Sequence, residues 1–274
     1  MPWYESGNNR LWYEEHGTGP ALVLLHGWCM SSAVWRLQFE ELSVRYRIIA
    51  PDLAGHGKSG ACGGNHGFDR FAADIVALFR HLELREALLG GWSMGAQVVL
   101  DACGRLREQV AGLVLISATP RFTVAEDFPW GLSPVEAKGM AVKLRRNAPR
   151  ALEGFTARMF APGEPEVPDL AARIRELLDG IPVPATDVAL QSLESLAEAD
   201  MRPLLFGIDL PTLIINGDRD VICLPGASEY LARQMPLSSR VVMNDCGHAP
   251  FLTRSREFAA CIDDFGRRVR ERSR

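Results

Sequence analysis

The sequence predicts an α/β fold in which a mostly parallel sheet is flanked by helices and interrupted by an inserted helical cap. Three observations carry that prediction. Short runs rich in Val, Ile and Leu recur along the chain; segments with apolar residues three and four apart lie between them; and from 119 to 201 the strand signals stop while prolines punctuate helical stretches.

Buried strands are predicted at 21–25, 47–50, 87–90, 112–117, 212–216 and 240–243. Each is short and almost continuously apolar, as a strand must be when helices cover both faces of its sheet. Phe68, Phe71, Ala72, Ile75, Leu78, Phe79 and Leu82 fall at helical spacing and predict a helix with one buried face. Phe258, Ile262, Phe265 and Val269 predict a terminal helix packed back on the sheet. In the cap, four helices are expected, separated by prolines at 129, 134, 149, 162, 165, 168, 182 and 184. The first long one has its start written in the sequence: Ser133 as N-cap, Pro134 in the first turn and Glu136 three residues after the serine, a capping box. Strand character resumes at Leu210-Pro211-Thr212, so the expected division is a core of 1–118 and 202–274 around a cap of 119–201.

With 274 residues, 47% hydrophobic and 23% charged, the chain can bury a full core. Its apolar runs fall far short of the ~20 residues of a spanning helix. Met1-Pro2-Trp3-Tyr4 lacks the basic-then-apolar pattern of a secretory leader, so no membrane association and a cytoplasmic location are expected. A formal charge of -4 offers no overall attraction to nucleic acid. The cysteines at 29, 62, 103, 223, 246 and 261 form no C-x-x-C pair and have no histidine at zinc-ligand spacing, which predicts reduced, mostly structural thiols and no metal site.

The segment Gly91-Trp92-Ser93-Met94-Gly95 is G-x-S-x-G with a predicted strand before it and the helical run Gln97-Val98-Val99-Leu100 after it. That context marks Ser93 as a nucleophile, because a tight strand-to-helix turn lifts the hydroxyl off the sheet and aims a helix N-terminus at the reacting centre. Side chains at Gly91 and Gly95 are expected to collide across the turn.

A serine hydroxyl needs a base, and the base needs an acid to fix its tautomer. Among six histidines only His248 lies in a loop after a late strand, with Gly247 permitting a tight turn before it. Histidines 16, 56, 66 and 81 lie in hairpin, loop or helical contexts. The acid is expected in Gly217-Asp218-Arg219-Asp220, where two aspartates compete. Asp220 is preferred, since the strand-end turn must be completed before a side chain reaches over the sheet edge, leaving Asp218 as a turn residue. The chain order Ser93, Asp220, His248 then matches that of this kind of hydrolytic site.

Acyl transfer also needs two N–H donors at the developing oxyanion. The backbones of Met94, after the nucleophile, and Trp28, in the His26-Gly27-Trp28 turn after the first core strand, are the candidates. Gly27 allows close approach, His26 is expected to brace the loop, and the Trp28 indole is expected to wall an acyl pocket, although a plain core position is open to it. Closely spaced glycines in 52–59 lack the spacing of a phosphate loop and read as a structural turn.

H-G-W at 26–28, D-L-x-G-x-G-x-S at 52–59, G-W-S-M-G at 91–95, G-D-x-D at 217–220 and G-H-A-P-F at 247–251 together resemble the α/β-hydrolase superfamily over nearly the whole chain. Within it the sequence is similar to the biotin-pathway carboxylesterases that demethylate pimeloyl-[acyl-carrier protein] methyl ester. That resemblance rests on Leu24-Leu25-His26-Gly27-Trp28, Val34-Trp35-Arg36, Gly90-Gly91-Trp92-Ser93, the segment 122–133 and His248-Ala249-Pro250-Phe251. It implies an α/β-hydrolase fold and hydrolysis of a small acyl ester through an acyl-enzyme, without a metal or organic cofactor. It further implies Phe155 and Met159 as acyl-channel residues under the cap, and Arg150 with Arg158 as contacts for acyl-carrier protein. Gly154 stands where that family's pattern has a basic residue, so a merely solvated basic helix face competes with the carrier reading. A general short-chain esterase, a lyase or carbon–carbon hydrolase on the same scaffold, and a ligand-sensing module that retains the three residues remain alternatives.

Overall fold

The chain opens with a hairpin, β1 (Trp3–Ser6) and β2 (Asn9–His16), paired antiparallel from Trp3 opposite Trp12 to Ser6 opposite Asn9. The intervening two-residue turn carries Gly7 at φ +56°, a left-handed conformation that glycine adopts without strain. Tyr4, Ser6, Leu11 and Tyr13 point inward while Glu5 and Arg10 face out. This alternation, and not a continuous apolar run, makes these residues strands, which is why only their hairpin character is legible in the sequence.

In the computed structural model, which describes residues 2–60, 62–165 and 167–272, strand and helix then alternate. β3 (Ala21–Leu25), α1 (Arg36–Leu42), β4 (Arg47–Pro51), α2 (Phe68–His81), β5 (Ala87–Trp92), α3 (Met94–Ala102) and β6 (Val110–Ile116) precede the cap. The cap consists of α4 (Pro134–Arg146), α5 (Ala148–Ala157), α6 (Pro168–Asp179) and α7 (Thr186–Glu198). After it come α8 (Arg202–Leu205), β7 (Thr212–Gly217), α9 (Pro225–Gln234), β8 (Ser238–Met243), α10 (Pro250–Thr253) and α11 (Ser255–Arg272). The predicted strands and the four cap helices are all present. β8 begins two residues earlier than its apolar run, because at the sheet edge its first residues are half-exposed and polar.

Among the described residues eight strands lie in the order β1-β2-β4-β3-β5-β6-β7-β8. From β4 to β8 all neighbours run parallel, and β2 is antiparallel to both β1 and β4. The winding reverses between β3 and β5, and at such a switch point a crevice opens beyond the carboxyl ends of the strands. Helices close both faces: α2 buries Phe71, Ile75 and Leu78 completely, and α11 buries Phe258, Ile262, Phe265 and Val269.

The cap leaves and re-enters the core through a polar neck. Met201 donates its N–H to the Pro120 carbonyl at 2.8 Å, and Arg121 Nη1 lies 2.8 Å from Asp200 Oδ2. Hydrogen bonds from Arg202, with Arg121 beside it, hold the Asp200 carboxyl down to about 2. The capping box at α4 has both its bonds: Glu136 N–H to Ser133 Oγ at 3.2 Å, and Ser133 N–H to Glu136 Oε2 at 3.3 Å. Asn147 caps α5 in turn, its Oδ1 accepting from the Arg150 N–H. No helix among the described residues is long and apolar enough to cross a membrane.

Candidate active site

Ser93 sits in the turn from β5 to α3 with φ 55° and ψ -116°. A non-glycine residue held there carries strain of about 1–3 kcal/mol, which the surrounding packing must impose. That packing is visible in the two glycines. A Cβ on Gly91 would fall 2.2 Å from the Gly95 carbonyl oxygen, and one on Gly95 would fall 2.6 Å from the carbonyl oxygens of Leu25 and His26. The turn therefore closes on itself, and the start of α3 packs directly against the turn leaving β3. Ser93 N–H donates to the Ile116 carbonyl at 3.0 Å, and the serine is 9% exposed at the N-terminus of α3.

His248 comes to this turn from the loop after β8. Its carbonyl accepts from the Trp92 indole at 2.8 Å, and the two rings lie 5.4 Å apart. Its Nδ1 is 2.7 Å from Asp220 Oδ2, with both side chains buried. Asp220 Oδ1 accepts from the N–H groups of Ile222 and Cys223 at 2.8 and 2.9 Å, so the carboxylate is fixed at both oxygens. With Nδ1–H donated to Asp220, the basic lone pair lies on Nε2, a buried atom without a hydrogen-bond partner among the described residues. An imidazole held this way is oriented to take a proton and to be stabilised once it has done so.

Asp218 does different work. Its Oδ1 accepts from the Cys246 N–H at 3.2 Å, tying the end of β7 to the loop that carries His248. A Cβ on Gly217 would fall 2.1 Å from the Cys246 carbonyl oxygen, so these segments meet backbone to backbone. The buried Cys223 thiol, which the sequence reading passes over, lies beside Ser93, and burial together with the Asp220 charge pushes its pKa well above the usual value. It is a neutral thiol beside the serine hydroxyl.

The turn after β3 is braced by His26. Leu53 N–H donates to His26 Nε2 at 3.0 Å, and His26 Nδ1 lies 2.8 Å from the Gly27 carbonyl. These partners require a neutral ring protonated at Nδ1, and burial lowers its pKa to about 4. A Cβ on Gly27 would press on Trp92 at 3.0 Å, which brings the Trp28 backbone up to the Ser93 turn. Met94 opens α3, so its N–H belongs to the first turn, which lacks intrahelical acceptors. The 52–59 segment is a turn knotted by Asp52, whose oxygens accept from Ser32 N–H at 2.6 Å and Lys58 N–H at 2.7 Å.

The Trp28 indole donates to the Ala189 carbonyl and to Ser192 Oγ, both at 3.1 Å, so it is pinned to α7 of the cap. Phe155 meets it edge-on at 5.0 Å. Beside them a cavity of about 260 Å³ is lined by Met30, Leu152, Phe155, Leu178 and Ile181 together with the acids Glu153 and Asp179. Met159 is fully buried and accepts the His248 N–H on its carbonyl at 2.7 Å. Arg150 and Arg158 lie away from Ser93, on an open groove of about 620 Å³ shared with Lys143, Arg146 and Gly154. Arg158 is 3.8 Å from Glu136.

Known proteins resemble this chain over most of its length. The alpha/beta hydrolase fold family matches residues 20–255. The pimeloyl-[acyl-carrier protein] methyl ester esterase of Nitrosomonas europaea is 34% identical over 251 residues, covering 91% of this chain and 97% of that one. Among solved structures, an esterase from Exiguobacterium antarcticum superposes with a TM-score of 0.89 at 26% identity, covering 97% of this chain and 98% of that one. A thermophilic esterase from Thermogutta terrifontis gives 0.83 at 27% identity, covering 97% and 98%. The family match takes in most of the sequence, so this chain belongs to the α/β-hydrolase family and is a serine hydrolase of the ester-cleaving kind.

Proposed function

We propose that Ser93, His248 and Asp220 form the catalytic triad, and that the substrate is the methyl ester of a pimeloyl chain carried by acyl-carrier protein, as in biotin synthesis. The observation that carries the triad is the buried His248, held 2.7 Å from Asp220 at Nδ1 and unpartnered at Nε2, beside the Trp92-Ser93 turn. In this mechanism His248 Nε2 takes the Ser93 proton as Oγ attacks the ester carbonyl. The charge that develops on the carbonyl oxygen is met by the backbone N–H groups of Met94 and Trp28. His248 then gives its proton to the departing methoxide, which leaves as methanol. Water, deprotonated by the same imidazole, releases the acid and returns the hydrogen to Ser93. No step calls on a metal or organic cofactor.

Two features favour the carrier-linked substrate beyond the likeness to the Nitrosomonas enzyme. The cavity beside Trp28 and Phe155 offers Met30, Leu152, Phe155, Leu178 and Ile181 as apolar contacts for a methylene chain. The cationic groove of Lys143, Arg146, Arg150 and Arg158 suits the anionic surface of a carrier. The experiment compares hydrolysis of the carrier-linked methyl ester with that of free dimethyl pimelate and p-nitrophenyl butyrate. Ser93→Ala should abolish all three. Arg150→Glu combined with Arg158→Glu should raise KM about tenfold or more for the carrier-linked ester alone. Equal use of free and carrier-linked esters would retire the carrier and biotin reading and leave an esterase of broader range.

A further inference from the structure

Between α5 and α6 the cap sends a loop onto the strand-end segment that carries His248. Its Glu164 carboxylate is the hub. Oε2 accepts from Gly247 N–H at 2.7 Å and from Ala161 N–H at 2.9 Å; Oε1 accepts from the Cys246 thiol at 3.0 Å and from the Thr253 hydroxyl. A carboxylate offers about four lone-pair positions, and here all are taken. Three consecutive backbone N–H groups lead to the imidazole. That of Cys246 goes to Asp218, that of Gly247 to Glu164, and that of His248 to the Met159 carbonyl at 2.7 Å. Two of the three are thus held by the cap and not by the core. The contact is tight: a Cβ on Gly247 would fall 2.4 Å from the Met159 carbonyl oxygen and 2.8 Å from the Ala161 nitrogen.

We propose that Glu164 is a positioning residue: through Gly247, Cys246 and Thr253 it fixes the backbone from which His248 reaches Ser93, so that the cap, besides covering substrate, completes the geometry of the base. This rests on His248 being that base. Proton transfer tolerates little displacement, and a misplacement of about 1 Å can cost on the order of a hundredfold in rate.

The test measures kcat and KM on p-nitrophenyl acetate, which needs little of the cap, and on a long-chain ester. Glu164→Ala should lower kcat about 10- to 100-fold on both esters, with KM for the acetate within about threefold of wild type. Glu164→Gln should restore most of that loss. Its carbonyl can hold Gly247 and Ala161 while its amide donates to Thr253 and Cys246, whose own hydrogens can turn away. Thr253→Val, which deletes one donor and leaves the cap loop its other bonds, should lower kcat about two- to fivefold if Glu164→Ala proves too unstable to purify. In a His248→Asn background Glu164→Ala should have no further effect, since the two act as a unit. An unchanged kcat on the acetate in both the Glu164→Ala and Thr253→Val proteins, or a loss confined to KM for the long ester, overturns the proposal. Wild-type turnover by His248→Asn alone would overturn the triad itself, a separate result.

Discussion

His26 should make the protein acid-sensitive by a calculable amount. Its ring donates at Nδ1 and accepts at Nε2, so protonation would set an N–H against the Leu53 N–H in a site with no exposure. With a folded pKa lowered to about 4 and an unfolded one of about 6.5, the unfolded chain binds the proton first as pH falls. The contribution is fully present above about pH 6.5 and is lost toward pH 4, the loss amounting to about 2.6 kcal/mol by about pH 4.5. His56, whose pKa burial and the His26 charge lower to about 3, acts in the same direction, whereas Asp52, raised by burial, opposes it. The perturbation that isolates His26 is therefore His26→Gln, which keeps an acceptor for Leu53, loses the bond to Gly27 and does not titrate. At about pH 8 the variant should be less stable by about 1 kcal/mol, one lost hydrogen bond. At about pH 4.5 it should be more stable than wild type by about 1.5 kcal/mol, with the curves crossing near pH 6. Urea unfolding followed by tryptophan fluorescence reads this as a relative midpoint shift of about 1 M, for a slope of about 3 kcal/mol per M. A midpoint difference between the two proteins that stays constant over this range would refute the buried neutral imidazole.

Asp220→Asn should reduce turnover of p-nitrophenyl butyrate by about 10³- to 10⁴-fold with an unchanged melting temperature, while Asp218→Ala, which frees only the Cys246 N–H, should cost about 1 kcal/mol of stability and a few-fold in rate. The reverse ranking in steady-state assays would transfer the orienting role to Asp218. Trp28→Phe deletes both indole bonds to α7 yet keeps the backbone donor, so kcat on a short ester should stay within about threefold while KM for long acyl chains rises. A large loss of kcat on the short ester would place the indole in the chemistry.

The parts of the site that the sequence disclosed are those that obey local rules. Gly91 flanks Ser93 because a side chain there would overlap the Gly95 backbone, and that constraint acts within five residues. Ser133, Pro134 and Glu136 announce a helix start for the same reason, since every bond involved spans three positions. Preferring Asp220 to Asp218 likewise draws only on the length of a turn. What stayed hidden depends on distant pairing. Glu164 is one acid among many until Gly247, over eighty positions away, is placed against it. Cys223 is silent in the sequence because metal or disulfide spacing is what marks a thiol there, whereas its meaning comes from lying three residues after Asp220, beside Ser93. The hairpin strands were indistinct because half-buried antiparallel strands show alternation instead of apolar runs.

Those hidden contacts share a location, and it bears on how the hydrolase works. The cap grips the core on both sides of Ser93. On one side α7 holds the Trp28 indole, in the turn proposed to offer an oxyanion donor; on the other, Met159 and Glu164 hold the main chain next to His248. Strands β3, β5, β7 and β8 bring four chain segments to one rim, but a sheet fixes only where each strand ends. The loops beyond it need partners for their backbone donors, and in this chain the cap supplies those of Gly247 and His248. Substitutions in the cap should therefore divide into two kinds. Those facing the cavity at Leu152, Phe155 and Ile181, or holding the Trp28 indole, should change which acyl chain is accepted, and those touching the 246–248 segment should change the rate on every ester, however short.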